Sequence, residues 1–156
     1  MSGAAEVAEG PAVLAAYGDA IAKAAAEAHV GPREEMGERL VRTFLSLWEN
    51  PEIRPRMLEV VKSAVNGGPG ADQMRAFMSS GLFGQVGENL DARPMDDLGQ
   101  AARELKVEPL NINAAAAQVW GVIVLRYILR IEPMASAPTE DIVALLGPTI
   151  QRYLVG

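Results

Sequence analysis

QVWGVIVLRYILRIEP, residues 118–133, is apolar nearly all the way round a helix, and its helical part is interrupted only by Arg126 and Arg130. A helix on the surface of a globule needs a single apolar stripe, whereas one that is apolar on every side must be covered on every side. A chain of 156 residues has few elements with which to cover it. A second copy of the same chain is the natural cover. Ala117 and Gly121 stand one turn apart, and small residues on one face let two helices approach closely. Arg126 and Arg130 also stand one turn apart. They either snorkel, with stems on apolar surface and heads in water, or serve an interface, where arginine is enriched.

Outward from this stretch the chain reads as helix, with a 3.6-residue apolar period and no convincing alternation of period two. Residues 13–28 form an Ala-rich helix with Leu14, Tyr17, Ile21 and Ala25 on one face, stopped by Gly31-Pro32. Pro32 opens the next helix, whose stripe is Met36, Leu40, Phe44, Leu47 and Trp48 and whose end is Asn50-Pro51. Glu35 with Arg39 and Glu38 with Arg42 are i,i+4 pairs worth about 0.2–0.5 kcal/mol each. A third helix starts near Pro55 with Met57, Leu58, Val61, Ala64 and Val65 inward, and breaks at 66–70, NGGPG. A fourth covers 71–90, weakened by Gly81, Gly84 and Gly87. A short helix follows over 96–106. Asn111 or Asn113 is expected to cap the long helix that ends at Pro133, and Thr139 to cap the last one. Pro148 is expected to kink that last helix. The expected architecture is a single all-α domain over 1–156, a bundle of about six to seven helices, with residues 1–12 flexible.

Composition narrows the chemistry. With 49% apolar residues a folded core is expected. The chain has no cysteine, which excludes disulfides, zinc thiolates and cysteine nucleophiles. No signal peptide is visible, and the longest charge-free apolar run, 114–125, is too short to span a bilayer, which needs about 20 residues. A cytoplasmic setting fits. The net charge is −6, with three lysines against eleven arginines and no basic cluster, so a phosphate-neutralising grip on nucleic acid is not expected.

No constellation for catalysis stands out. His29, the single histidine, lies at the end of the first helix, where the dipole favours it. Asp96 and Asp97 are adjacent and point about 100° apart on a helix, so they do not converge on a metal. No cofactor is expected and no enzyme activity is indicated. Trp48, Met57, Phe77, Met78, Phe83, Trp120 and Tyr127 come from four helices. Such residues are either plain core or the lining of an interhelical pocket for a hydrophobic guest, where methionine adapts to varied shapes.

Two stretches, 31–65 (GPREEMGERLVRTFLSLWENPEIRPRMLEVVKSAV) and 114–156 (AAAAQVWGVIVLRYILRIEPMASAPTEDIVALLGPTIQRYLVG), resemble the C-terminal regulatory domain of TetR-family transcriptional repressors. The likeness is to an actinobacterial-type subgroup with a Leu-Arg-Tyr-x-Leu-Arg-x-Glu-Pro stretch, here Leu125 to Pro133. The resemblance implies that the helices 113–131 and 140–154 pair with those of a second protomer as a four-helix bundle. The expected partner-facing residues are Ala117, Gly121, Val122, Leu125, Arg126, Leu146, Ile150 and Tyr153. It also implies a pocket for a small hydrophobic effector among the preceding helices and the long helix. The family's helix-turn-helix reader is missing from residues 1–30. The expectation is therefore a homodimeric ligand-binding domain that does not itself touch nucleic acid or membrane. The competing expectations are a structural dimerisation module whose pocket is packed shut, a partner for a full-length regulator, and a small helical enzyme.

Overall fold

The computed structural model describes residues 30–67, 71–72, 75 and 98–155. Several expectations fall outside them: the helix 13–28, His29, the flexible 1–12, the glycines at 81, 84 and 87, and the pair Asp96-Asp97. Among the described residues the chain is all-helical. A 3-10 turn, Arg33–Glu35, leads into α1, Met36–Glu49. Then come α2, Arg54–Val65; α3, Leu98–Leu105; α4, Pro109–Ile123; and α5, Thr139–Leu154. These five α-helices are fewer than the six to seven expected, and two of the expected ones, 13–28 and most of 71–90, lie outside the described residues.

Helix starts follow proline rather than the polar caps expected. Pro109 opens α4 after Glu108, because its missing N–H is one the first turn would leave unpaired anyway. Asn111 is thereby freed, and its side-chain amide donates to the Tyr153 carbonyl at the end of α5 (3.2 Å). Pro138 stands one place earlier, at the cap position of α5, so Thr139 is its first residue and not its cap. α5 continues on both sides of Pro148. The donor that Pro148 lacks would have bonded the carbonyl of Ala144, an exposed residue where water can replace it. At the end of α3, Lys106 adopts the left-handed conformation (φ 60°), and the Val107 N–H reaches back to the Ala102 carbonyl (3.0 Å). This is a Schellman closure with lysine in the place usually taken by glycine.

α1, α4 and α5 make the centre of the core, and Met57 of α2 and Ala102 of α3 join it. Gly37 of α1 meets Gln151 of α5, and Arg42 meets Glu140, so the two run antiparallel. Asn111 and Tyr153 set α4 antiparallel to α5 as well. The expected stripes turn inward at Met36, Leu40, Trp48 and Met57 but not at Val65, which is exposed, and Val41, Leu45, Ile123, Val143 and Ile150 are sealed from solvent. Each such side chain contributes roughly 1.5–3 kcal/mol on burial. The Arg42 guanidinium takes Glu140 in two parallel bonds (2.9 and 3.0 Å), in preference to the i,i+4 partner Glu38. Both side chains are exposed, so the pair fixes helix register more than it stabilises.

α1 and α5 approach through glycine. The Gly37 N–H, in the first turn and so without an intrahelical acceptor, donates to Gln151 Oε1 (2.7 Å). Gln151 in turn donates to the Arg33 carbonyl (2.9 Å). A side chain of α5 thus does for α1 what no local cap does.

Candidate functional site

The last turn of α1 and the end of α4 meet at one end of the bundle. Trp48 stacks on Tyr127 with centroids 5.6 Å apart and 18° between planes, and Trp120 meets Trp48 edge-on at 6.1 Å. Both are favoured aromatic geometries. Beyond Ile123 the helix widens into a π turn, Val124–Ile128, closed by Leu129 N–H to the Val124 carbonyl (2.8 Å). A π turn inside an α-helix is rare and frequently marks a functional site. The wider turn reduces the angle between successive side chains, and here the neighbours Arg126 and Tyr127 converge on one carboxylate. The Tyr127 hydroxyl donates to Glu49 Oε1 at 2.7 Å, and Arg126 Nη2 and Nε donate to the same oxygen at 3.2 and 3.3 Å. Arg126 Nη1 donates to two more acceptors, the carbonyls of Met134 (2.9 Å) and Ala137 (2.7 Å). Arg130 then turns the chain in the left-handed region (φ 53°), and a cis Glu132–Pro133 bond follows.

This geometry sets the ionisation. Burial pushes the Tyr127 phenol up, to about 12, and its bond to Glu49 pushes in the same direction. For Glu49, burial works to raise the pKa, but the bonds from Tyr127 and Arg126, with the charges of Arg126 and Arg54, together hold it below the usual carboxylate range. The signs are opposite. A raised phenol contributes stability that is complete below its unfolded value near 10 and is lost as pH rises toward 12. A lowered carboxyl contributes stability present above its unfolded value of about 4.3 and lost as pH falls through the folded one. The chain holds three tyrosines. Ultraviolet titration should show one of them ionising near 12, absent in Tyr127→Phe. Glu49→Gln should be less stable than the parent chain in urea at pH 7, with the gap narrowing as the pH falls below about 4.3.

A cleft of about 610 Å³ opens outside Tyr127. One wall is Pro51 and the start of α2, with Arg54, Pro55 and Leu58; the other runs from Arg126 through Arg130 to Ala135. Of the residues expected to bind a ligand, Trp48, Met57, Trp120 and Tyr127 fall in or against one core cluster, and only Tyr127 reaches the cleft. Phe77, Met78 and Phe83 lie outside the described residues. Glu49 and Arg54 were not anticipated, because their partner Arg126 or Tyr127 stands more than 70 positions along the chain.

α4, the turn after it and α5 leave apolar side chains exposed, on α5 alongside Glu140, Asp141 and Arg152. Ala117, Gly121 and Leu125, expected to face a partner, are exposed, and Ile128, Leu129, Ile131 and Leu145 extend the surface. A Cβ on Gly121 would meet no heavy atom within 4 Å. Other residues expected there lie elsewhere. Val122 and Ile150 are 7% and 1% exposed, inside the protomer's own core, because each falls on the side of its helix that faces α1 and its neighbours. Arg126 is turned inward onto Glu49 and the two carbonyls. Leu146 and Tyr153 are half-buried against the core.

Residues 34–154 match the family described as tetracyclin repressor-like, C-terminal domain. The chain belongs to this family. The likeness that the tetracyclin repressor-like domain bears to TetR regulators in its segments 31–65 and 114–156 therefore reflects membership. Its fold is also similar to the crystal structure of a TetR-family regulator from Streptomyces coelicolor A3, with a TM-score of 0.56 and 24% identity over 95% of this chain and 85% of that one. No curated protein matches the chain. Among the described residues of the domain, no helix is long and apolar enough to cross a membrane, and no group of three or more acids or histidines is placed to hold a metal ion.

Proposed function

We propose that the chain is the dimerising, effector-binding part of a TetR-type transcriptional regulator, acting in the cytoplasm by binding rather than by catalysis and without a cofactor. The observation that carries this reading is the placement of the exposed apolar face on the same two helices whose junction forms one wall of the cleft. Two copies bury Ala117, Gly121, Leu125 and Leu145 against each other, and the effector sits between α2 and the 126–135 segment. Arg126 joins the two regions, since it holds the loop that sets α4 against α5. Contact with nucleic acid is left to a separate reader, consistent with the net charge of −6.

Sedimentation at micromolar concentration tests the dimer. Leu145→Glu and Gly121→Glu should each shift it to monomer while leaving the circular dichroism of the protomer intact, because both side chains project into open space. A parent chain that sediments as a monomer would overturn the proposal. A second reading, a dimerisation module without an effector, draws on the tight burial of Trp48, Met57 and Tyr127. Melting in the presence of a panel of hydrophobic compounds separates the two. Bound ligand at a hundredfold excess over Kd stabilises by about 2.7 kcal/mol, and no shift across the panel would favour the module.

A further inference from the structure

We infer that the cleft between α2 and the 126–135 segment takes the carboxylate of an amphipathic organic acid, held by Arg54 and Arg130. The inference rests on reading the chain as an effector-binding domain and names the chemical class of the effector.

Five charged side chains line the cleft: Glu49, Arg54, Arg126, Arg130 and Glu132. Three are committed. Glu49 accepts from Tyr127 and Arg126, and Arg126 spends two further donors on the carbonyls of Met134 and Ala137. Glu132 accepts from the backbone N–H and hydroxyl of Ser136. Arg54 lies over the Tyr127 ring at 5.6 Å and feels the charge of Glu49, but no hydrogen bond joins it to an acid among the described residues. Arg130 has no such bond either. Two uncommitted guanidinium groups thus share one concavity in a chain whose net charge is −6.

Local structure adds to this. Arg54 is the first residue of α2, the end at which a helix dipole disfavours a cation, and the first turn holds no acid and no side-chain cap. An anion beside Arg54 would relieve that mismatch. Arg130 stands in the left-handed region, uncommon for a residue other than glycine or asparagine. The Ile131 N–H bonded to the Leu125 carbonyl (2.9 Å) closes the turn and fixes where its side chain begins. A planar guanidinium pairs with carboxylate through two parallel bonds, which a neutral ligand cannot match. The rest of the lining, Pro51, Pro55, Leu58 and Ala135 with the Tyr127 ring, is apolar and suits a hydrocarbon body. The volume lies within the range of about 300–1,000 Å³ usual for small-molecule sites.

The test uses decanoate, decan-1-ol and inorganic phosphate as probes. Calorimetry measures binding, and fluorescence follows Trp48 and Trp120, the two tryptophans of the chain, which lie behind Tyr127. Decanoate should bind saturably and at least about tenfold more tightly than either decanol or phosphate. Arg54→Gln and Arg130→Asn should each remove most of that preference for the acid while leaving the affinity for decanol and the sedimentation of the dimer unchanged. Arg103→Gln, on the exposed side of α3, should change nothing. Decanol binding as tightly as decanoate would overturn the inference while supporting a hydrophobic effector. Phosphate binding as tightly as decanoate would overturn the apolar half of the assignment. Parent-like decanoate affinity in both arginine variants, or no saturation up to about 10 mM, would overturn the inference outright. A parent chain that is monomeric overturns the regulatory reading, whatever the acid does.

Discussion

Gly37→Val should unfold most of the domain under conditions where the parent chain is folded. A Cβ at Gly37 would run into the Gly147 carbonyl oxygen and stand 2.6 Å from the Gln151 nitrogen and 2.9 Å from its Cα. These are backbone atoms of α5 and cannot rotate away. The reciprocal Cβ on Gly147 would meet Glu38 Cγ at 2.6 Å and Cα at 3.2 Å. Overpacking that side chains can relieve costs about 1–3 kcal/mol. Here the two helices must separate, and the Gly37 N–H loses Gln151 as an acceptor, worth about another 1–3 kcal/mol. The sum, roughly 2–6 kcal/mol, is a large part of the 5–15 kcal/mol that holds a typical domain together. Gly37→Ala is the sharper test. Alanine gains about 1 kcal/mol in helix propensity, so a net loss of about 2 kcal/mol in urea denaturation is expected. An alanine variant as stable as the parent would show that the helices do not touch at this point.

Arg126→Ala should destabilise by about 2–4 kcal/mol, near the lower part of the range for breaking a buried ion pair, because Glu49 keeps some contact with water. Arg126 is 10% exposed and uses four of its five N–H groups, on Glu49 and on the carbonyls of Met134 and Ala137. Removing it strands a carboxylate and two backbone acceptors at once. Arg126→Lys should recover little, since an ammonium cannot serve acceptors on both sides of a planar fork. Thermal unfolding measures the loss. On the proposed dimer, sedimentation should show weaker association as well, because Arg126 holds the segment that joins α4 to α5. Arg126→Lys with parent-like melting and association would show that the fork is not needed.

Much of the secondary structure is legible in the sequence, because the 3.6-residue period in α1, α2, α4 and α5 is a local signal. The stripe of Met36, Leu40 and Trp48 lies in the core as expected, whereas Ile150, expected at the partner face, lies in the core instead. The stretch after Gln118 is two-sided, with Val119, Val122, Ile123 and Tyr127 closing the protomer while Gly121, Leu125 and Ile128 do not, but its composition does not say which residue takes which side, and Val122 is one expected to face a partner. What the sequence hides is pairing at a distance. Arg42 has Glu38 one turn away but takes Glu140, 98 positions along. Nothing near Gly37 announces that α5 will press against it. Arg126 is a polar interruption on an apolar helix, equally readable as a surface or an interface residue; only the tertiary fold places three acceptors around it. The π turn has no composition of its own, so the convergence of Arg126 and Tyr127 on Glu49 could not be derived from a regular helix.

The double grip of Arg126 on Met134 and Ala137 also constrains chain length. Residues 131–133 and 136 are exposed, and exposed loop tips are ordinarily the places that accept insertions and tags. This loop is a poor choice. Its two carbonyls are gauged by a single nitrogen, and one added residue would displace one of them by up to about 3.5 Å, beyond reach of the other's donor. The segment can therefore vary in identity more readily than in number, and a peptide spliced between Arg130 and Pro138 should destabilise the domain by up to what Arg126→Ala costs.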